Sequence, residues 1–488
     1  MTCNVFTNFK TAADFLQNLS RKIILAPCVI LFLSGQVYAQ TNNPANAPAA
    51  TKILKDHPDS AGVKKKIDTG FVSKRFGRAA IFLGIGELTP FLYDHYVAKF
   101  SYSDISFKSI AHNLNPDSWG FDRDIFLTNQ FGHPYQGSYF FNALRTNGYS
   151  FWQSVPGSFA GSYIWETAGE NDSPDINDFI NTGMGGAILG EMEYRFSNKI
   201  INNQAIGFKR QVSEVAGFIV DPLNGLNRIL NGKWGKYSAN SEIADSSKIF
   251  AQFDLGLRRI GRISSKNTGW YAAGNLQYGS AEENYNTPFS NITVDAELGK
   301  DDSSRVNIVT VYGSLAGWEL HSTEKNVQLA LLSANYEFIR NQQFFYGAQS
   351  IKINLYSEYD LDRNIKINTV FGFGPVVLGT APDKYIFNGR DYDYGSGVAY
   401  SGSAGISLAN RLFYNVNYRG SWLGTINGNS SHYFLAAFTN EISCRLIKGF
   451  SLAAEPGYFS LHGYFPDYPN VFRNYPYVRF SARYAVTL

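Results

Sequence analysis

The stretch from Trp119 to Phe196 combines ionisable, small and bulky aromatic residues more densely than any other part of the chain. A histidine close to carboxylates can act as a general base whose orientation is fixed by an acid. The candidate catalytic residues are therefore His133, Glu166, Asp178 and Glu191. This set predicts acid–base chemistry only if folding brings the histidine within hydrogen-bond reach of a carboxylate.

The same residue types also suit a metal site, since imidazole nitrogens and carboxylate oxygens bind several divalent ions. The candidate ligands are His133, Glu166 and Glu170. Their spacing matches no metal motif, and the sequence contains no His-Glu-x-x-His, no Gly-x-Ser-x-Gly and no phosphate-binding loop. No motif requires a cofactor, so the sequence leaves the cofactor unknown.

A structural role competes with both kinds of chemistry and is favoured over them. Arg145 and Arg195 could pair with Glu166, Asp178 or Glu191 between packed helices. Charges in a desolvated interior have to be paired, and this need alone would explain why these residues are present.

Proline positions predict the helices that carry these residues. Pro134 favours a helix from residue 134 to Asn147, because proline is tolerated in the first helical turn. Pro156 predicts that a second helix starts near Ser154, with that serine as its cap, and runs to about Glu170.

A third helix is predicted to begin at Pro174, with Ser173 as its N-cap. Small residues recur on one face of the second and third helices, and this pattern predicts close backbone packing. They are Ser154, Ser158, Ser162, Gly183, Gly186 and Gly190.

Residues 1–39 have the pattern of a secretory signal peptide, with a positive edge at Arg21, an apolar run over 23–33 and a cleavage site at Ala39. Residues 40–70, rich in Asn, Pro, Ala and Lys, are predicted to be a flexible leader. Cleavage would leave Cys444 as the single cysteine, which excludes an internal disulfide and a cysteine metal site.

Composition narrows the class of protein further. A net charge of +3 gives no excess that would point to nucleic acid. Aromatic residues make up 16% of the chain and charged residues 17%, a balance typical of long strands with aromatic belts at a membrane surface.

From about Ser247 onward, apolar and polar residues alternate with a period of two. The clearest alternating run of apolar residues is Val478, Phe480, Ala482, Tyr484, Val486 and Leu488. We count about twelve strands, which start near residues 247, 268, 292, 306, 327, 343, 364, 393, 410, 430, 449 and 472. An even number of antiparallel strands fits an outer-membrane β-barrel. The predicted signal peptide, the aromatic content and the unbroken last strand favour this barrel over a soluble β-sandwich with the same alternation.

The central stretch resembles a bacterial envelope family, domain of unknown function 3943, over roughly residues 100 to 235. The matching residues are Asp122, Asp124, Asn129, His133, Pro134, Gly137, Arg145, Gly148, Ser154, Trp165, Glu166, Glu170, Pro174, Asn177, Asp178, Gly186, Gly190, Glu191, Arg195, Asp221, Pro222, Asn227 and Arg228. The resemblance implies an outer-membrane setting and supplies no reaction.

The predicted fold is therefore mixed: a helical unit over residues 71–236, then a transmembrane antiparallel β-barrel of about twelve strands over 245–488. The helices would sit beneath the barrel or plug its lumen. Contact with the barrel wall or with lipid is favoured, because helices so rich in apolar residues would otherwise expose too much surface.

The predicted location is the outer membrane of a Gram-negative cell, with a periplasmic N-terminal segment. The expected partners are outer-membrane lipid and a small ligand or envelope component, with no nucleic acid. The favoured function is non-enzymatic, namely structure, binding or passage, with the helical unit as a plug or platform. The alternative is a membrane-embedded enzyme that acts on lipid or another envelope substrate through His133 and nearby carboxylates.

Overall fold

The computed structural model describes residues 73–237, 247–261, 268–281, 284–300, 305–323, 325–341, 344–362 and 364–487. The predicted signal peptide and leader lie outside these residues. The α-helices of the described part are α1 Phe76–Leu92, α2 Phe107–Asn113, α3 His133–Arg145, α4 Phe151–Ile164, α5 Ile176–Ile180, α6 Gly186–Ile200, α7 Gly207–Val220 and α8 Pro222–Leu230. Shorter turns join them: π-helical Tyr93–Ala98, Thr128–Gly132, Trp165–Gly169 and Asn181–Gly185, and 3-10 helical Ser101–Ser103 and Pro116–Ser118.

Twelve antiparallel strands close into a barrel, as the alternation predicts. They are β1 Ile249–Ile260, β2 Thr268–Tyr278, β3 Ile292–Gly299, β4 Val306–Ser322, β5 Asn326–Arg340, β6 Phe345–Asp362, β7 Ile365–Phe387, β8 Arg390–Leu408, β9 Leu412–Asn427, β10 His432–Ile447, β11 Phe450–Tyr464 and β12 Val471–Thr487. Each strand pairs with its sequence neighbours, and β1 pairs with β12 to close the sheet.

The two faces of the barrel differ in chemistry. Leu255 on β1 is 65% exposed, whereas its neighbour Asp254 binds Arg483 at 2.8 Å. Arg419 on β9 donates to the hydroxyl of Tyr312 on β4 at 3.2 Å. Because these two strands are five positions apart in the barrel, this hydrogen bond crosses the lumen. Charged and polar side chains therefore point inward, and the residues between them point outward.

Side chains from different strands meet inside the barrel. Arg479 binds Glu297 at 2.8 Å and Glu455 at 3.1 Å. The ring of Phe344, just before β6, stacks on Phe459 of β11 with centroids 5.2 Å apart. The described residues thus fill the lumen with paired charges at one level and with aromatic rings at another.

The helical unit packs against the outer face of this barrel. Tyr312 points into the lumen, so its neighbour Val311 points outward, and Val311 is paired with Tyr336 of β5. The hydroxyl of Tyr336 donates to the carbonyl oxygen of Gln130 at 2.6 Å. Gln130 belongs to the turn before α3, so α3 begins beside the outer wall and not inside the lumen.

Aromatic and polar contacts extend this interface. Phe126 packs on Phe338 and Phe345 with ring centroids 5.4 and 4.8 Å apart. Arg390 at the start of β8 donates to the carbonyl oxygen of Asp122 at 2.7 Å. The barrel wall thus provides both the apolar surface and the hydrogen bonds that hold the segment before α3.

Within the helical unit, glycines allow helices to approach closely. A Cβ atom on Gly137 would lie 2.0 Å from the carbonyl oxygen of Thr182, and one on Gly186 would lie 2.5 Å from the Cα of Gly137. Ser158 is fully buried and donates to the carbonyl oxygen of Gly183 at 2.8 Å. The small residues therefore serve packing, as their spacing predicts.

The predicted start of the second helix near Ser154 is wrong. The helix α4 begins at Phe151, and Ser150 and Gln153 form a capping box at its start. Pro156 consequently lies inside the helix. The paired capping bonds satisfy the first backbone N–H groups and fix the start one turn earlier than the proline indicates.

The predicted cap at Ser173 is also displaced. The helix α5 begins at Ile176, with Asp175 at its N-cap position. The backbone N–H of Asp175 donates to Glu166 Oε2 at 2.8 Å. The hydrogen bond to Glu166, nine residues earlier in the chain, therefore fixes where α5 begins, and the local preference for a serine cap does not.

The helix α1 exposes an apolar stripe. Ile81, Ile85, Leu88 and Leu92 are 64%, 38%, 56% and 48% exposed, and they follow one another at helical spacing. None of the helices in the described residues is both long and apolar enough to cross a membrane.

Candidate functional site

Folding brings three of the predicted residues together. His133, Glu166 and Asp178 each place one nitrogen or oxygen atom within 4.8 Å of the others. Nε2 of His133 lies 3.5 Å from Oδ2 of Asp178. Glu166 is 1% exposed and Asp178 is 4% exposed, so the group, here called the His133 centre, is shielded from water.

Irregular helical turns flank all three residues. Thr128–Gly132 is π-helical and leads directly into His133. Glu166 lies within the π-helical turn Trp165–Gly169, and Asp178 lies just before another such turn. Because a π turn inserts an extra residue into a helix, it rotates the following side chains out of their regular positions, and such turns are frequent at functional sites.

Hydrogen bonds hold the carboxylates in place. The side-chain amide of Asn177 donates to Asp178 Oδ1 at 2.8 Å. Glu166 accepts from the backbone of Asp175 and is hydrogen-bonded to the side chain of Glu170. Glu170 therefore contacts the centre through Glu166, although it is not one of the three converging residues.

Asp122 links the His133 centre to the barrel. It accepts from the side-chain amides of Asn129 and Asn177 at 2.8 and 2.9 Å. Asn129 also donates to the hydroxyls of Tyr392 and Tyr394 on the outer face of β8, both at 2.7 Å. The barrel wall thus supports the residues that orient Asp178.

Sequence reasoning did not select these supporting residues as part of the site. Tyr392 and Tyr394 lie 263 and 265 positions after Asn129, the residue that they contact, so no spacing connects them to it. Tyr392 and Tyr394 alternate on the outer face of a strand and carry hydroxyl groups. This combination was the signal that could have indicated a polar contact at the wall. Asp122 and Asn177 were noted only through the family resemblance.

Burial determines the protonation of the centre. Desolvation by burial lowers the pKa of His133 to about 4 and raises the pKa of Glu166 to about 8. Desolvation, followed by repulsion from Asp122, raises the pKa of Asp178 well above its usual range. Without a cation, the protein therefore favours neutral forms of these side chains.

Glu191, the fourth candidate catalytic residue, lies in a different contact. It is fully buried and binds Arg145 Nε at 2.6 Å and Arg195 Nε at 2.8 Å. Both arginines therefore form ion pairs with Glu191 and not with the carboxylates of the His133 centre. The ion-pair explanation accounts for Glu191 and leaves the other three residues without such a partner.

These features define the class of protein. A closed antiparallel barrel with an apolar outer face and a paired polar interior is the architecture of outer-membrane β-barrel proteins. The protein is an outer-membrane β-barrel that carries a helical unit against its wall.

The helical unit contains a recognised domain. Residues 118–223 match the family model described as Domain of unknown function (DUF3943), and the segment is a domain of that family. The match includes every residue of the His133 centre. Among curated proteins, none matches this chain.

Solved structures of outer-membrane channels resemble the barrel at low identity. The NanC porin is 8% identical, with 47% of this chain and 98% of that chain covered and a TM-score of 0.30. The outer membrane channel DcaP of Acinetobacter baumannii is 9% identical, with 49% and 96% covered and a TM-score of 0.23. An anion-selective porin from Comamonas acidovorans is 9% identical, with 49% and 99% covered and a TM-score of 0.23.

Proposed function

We propose that the barrel is a membrane anchor and platform that holds the helical unit, with its His133 centre, in the lipid-facing layer. The observation that carries this proposal is the packing of the helical unit on outward-facing strand residues such as Tyr336 and Phe338. Outward-facing residues of a membrane barrel contact lipid wherever protein does not cover them. The helical unit therefore replaces lipid along part of the wall.

The exposed stripe of α1 supports the same position. Ile81, Leu88 and Leu92 would face water if the helical unit stood clear of the membrane, and this would be unfavourable by roughly 25 cal/mol per Å² of apolar surface. Phe371 and Phe373 on the barrel are exposed to a similar degree, 62% and 52%. The stripe of α1 and the outer wall of the barrel thus both present exposed apolar side chains, which would contact lipid.

We further propose that the N-terminal segment lies on the periplasmic side. The first residue of β1, Ile249, lies at the same end of the barrel as Thr487, where β12 ends. Four hairpins at this end, those that begin after Ser322, Asp362, Leu408 and Ile447, are short, as periplasmic turns are in bacterial barrels.

Spin-label accessibility tests the position of α1. A nitroxide is attached to a cysteine that replaces Leu88, with the native cysteines changed to serine, and the protein is reconstituted in phospholipid vesicles. We expect the label to collide with oxygen, which concentrates in the hydrocarbon, several times more readily than with a water-soluble nickel chelate.

Two matched positions calibrate this experiment. A label at Phe480, 60% exposed on β12, reports lipid contact, and a label at Lys448, exposed in the turn after β10, reports water. A Leu88 label that behaves like the Lys448 label would overturn the proposal. Catalysis by His133 on a lipid or envelope component stays a prediction, because its separation of 3.5 Å from Asp178 exceeds the reach of a direct catalytic hydrogen bond and would need to shorten or to include a water molecule.

A further inference from the structure

The His133 centre has the geometry of an incomplete coordination sphere. In a tetrahedral zinc site, bonds of about 2.0–2.2 Å place neighbouring ligand atoms roughly 3.4 Å apart. The separation of 3.5 Å between His133 Nε2 and Asp178 Oδ2 is close to this value, and Glu166 contributes a further oxygen within 4.8 Å. The same separation is long for a strong hydrogen bond between an imidazole and a carboxylate.

The histidine itself lacks a partner that would explain its position. Nδ1 of His133 is shielded from solvent and has no hydrogen-bond partner in the described part of the chain. A buried polar atom without a partner is costly, so the packed residues around Nδ1 do not explain why a histidine is present here. An ion held by Nε2 would leave Nδ1 unpaired, so the case for a metal rests on the Nε2 side of the ring. Packing alone would not require a histidine here.

The acids around the centre also lack basic partners. Seven carboxyl groups lie close enough together that their charged forms would repel one another: Asp122, Asp124, Glu166, Glu170, Asp172, Asp175 and Asp178. Within the described residues, none of them forms an ion pair with a lysine or arginine, and His133 is the basic partner of Asp178. In contrast, the buried Glu191 has two arginines. The protein thus pairs one buried acid with cations of its own and leaves this cluster without them.

We propose that His133, Glu166 and Asp178 bind one divalent first-row metal ion. One imidazole and two carboxylates form a hard to borderline ligand set, which suits Mn²⁺, Fe²⁺ or Zn²⁺ better than the soft ion Cu⁺. Three protein ligands leave at least one position for water or for a substrate oxygen. Asn177 hydrogen-bonds Asp178, and Glu170 hydrogen-bonds Glu166. These two residues would orient the ligands without contacting the ion.

The metal proposal does not depend on the position of the helical unit in lipid, because it rests on contacts within that unit. Its test uses full-length protein purified in detergent, stripped with a chelator and dialysed. The protein is then incubated with Mn²⁺ or Zn²⁺, desalted, and analysed for metal by mass spectrometry. We expect about one equivalent per chain. With Co²⁺ as a probe, we expect visible absorption bands stronger than those of the six-coordinate aqua ion, as a protein-bound ion of lower coordination number gives.

Substitutions at the centre should remove this binding. We expect H133A and D178N each to weaken binding at least tenfold, because each removes one of three ligands. D178N keeps the shape of the side chain, so it tests the site even if H133A folds poorly; circular dichroism at 222 nm checks the fold of both.

A second histidine–aspartate pair provides the matched control. Nδ1 of His95 also lies 3.5 Å from an aspartate oxygen, on Asp104, but the two side chains are 33% and 70% exposed. H95A and D104N should retain the full equivalent of metal. Metal that is absent from the wild-type protein, or that is bound equally by H133A, D178N and the controls, would overturn the proposal.

Discussion

At the scale of the residue, the helical unit buries acids in two ways. Glu191 lies between two arginines that bind it, whereas Glu87 in α1 has no hydrogen-bond partner for either oxygen within the described residues. Desolvation by burial raises the pKa of Glu87 to about 8. Two acids of the same residue type therefore have opposite surroundings within one helical unit.

Glu87 should make the stability of the helical unit depend on pH. Its pKa is near 4.5 in the unfolded chain and about 8 in the folded one, so the folded state binds the proton more tightly. The contribution of Glu87 to stability is therefore fully present below pH 4.5 and is lost as the pH rises toward 8, by about 1.4 kcal/mol for each unit by which the two pKa values differ. Thermal unfolding followed at 222 nm between pH 5.5 and 8.5 should show this fall.

The substitution E87Q isolates this contribution. Glutamine resembles the protonated acid, so the unfolding temperature of E87Q should exceed that of the wild type at pH 8.5 and should depend less on pH. D104N removes an exposed acid from the same unit and should leave the pH dependence unchanged. An E87Q profile parallel to the wild type would show that Glu87 does not carry the effect.

At the scale of the element, close packing of α3 against α6 positions the His133 centre. His133 begins α3, and Gly137 lies one turn later, against the carbonyl oxygen of Thr182. Thr182 belongs to the π-helical turn that follows Asp178. Contact between these backbones therefore sets the distance between His133 and Asp178.

A methyl group at Gly137 should disrupt this packing. We expect G137A to destabilise the helical unit by about 3 kcal/mol or more, because its Cβ would lie 2.0 Å from Thr182 O and neither backbone can move freely. The measurement is chemical or thermal unfolding of the helical signal at 222 nm. We also expect metal binding to weaken, since the two ligands would move apart.

Gly84 supplies the control within another helix. A Cβ atom at this position would meet no atom within 4 Å. We expect G84A to be neutral or stabilising by up to about 1 kcal/mol, because alanine favours a helix interior over glycine. If G84A and G137A changed stability alike, helix propensity and not close contact would explain both results.

At the scale of the whole molecule, the barrel has a filled interior and a partly covered exterior. Arg419 and Tyr312 meet across the lumen, and Phe344 meets Phe459 from the opposite wall. The helical unit covers part of the outer wall from β1 to β8. The helical unit therefore lies outside the barrel, along a part of the wall that lipid would otherwise cover.

The filled lumen predicts that the protein does not conduct ions. In planar lipid bilayers at moderate voltage, the wild-type protein should give no stable conductance steps, because inward side chains from opposite walls contact one another at two levels of the lumen. The double variant F344A/F459A removes the stacked rings and should show more frequent transient openings. Regular steps from the wild type itself would contradict a filled lumen and favour the passage hypothesis.

The sequence alone determined the barrel. Alternation of apolar and polar residues is a local pattern, because successive strand side chains point to opposite faces. It therefore predicted twelve strands and placed each start within three residues of the observed one.

Only the tertiary structure decided how the helical unit is arranged. The starts of α4 and α5 differ from prediction because Gln153 completes a capping box and Glu166 holds the backbone of Asp175. The convergence of His133, Glu166 and Asp178 depends on contacts between helices whose relative position no local pattern encodes. The sequence supplied the residue types for a metal or acid–base site, and close packing of glycines against a barrel wall brought three of them to one point.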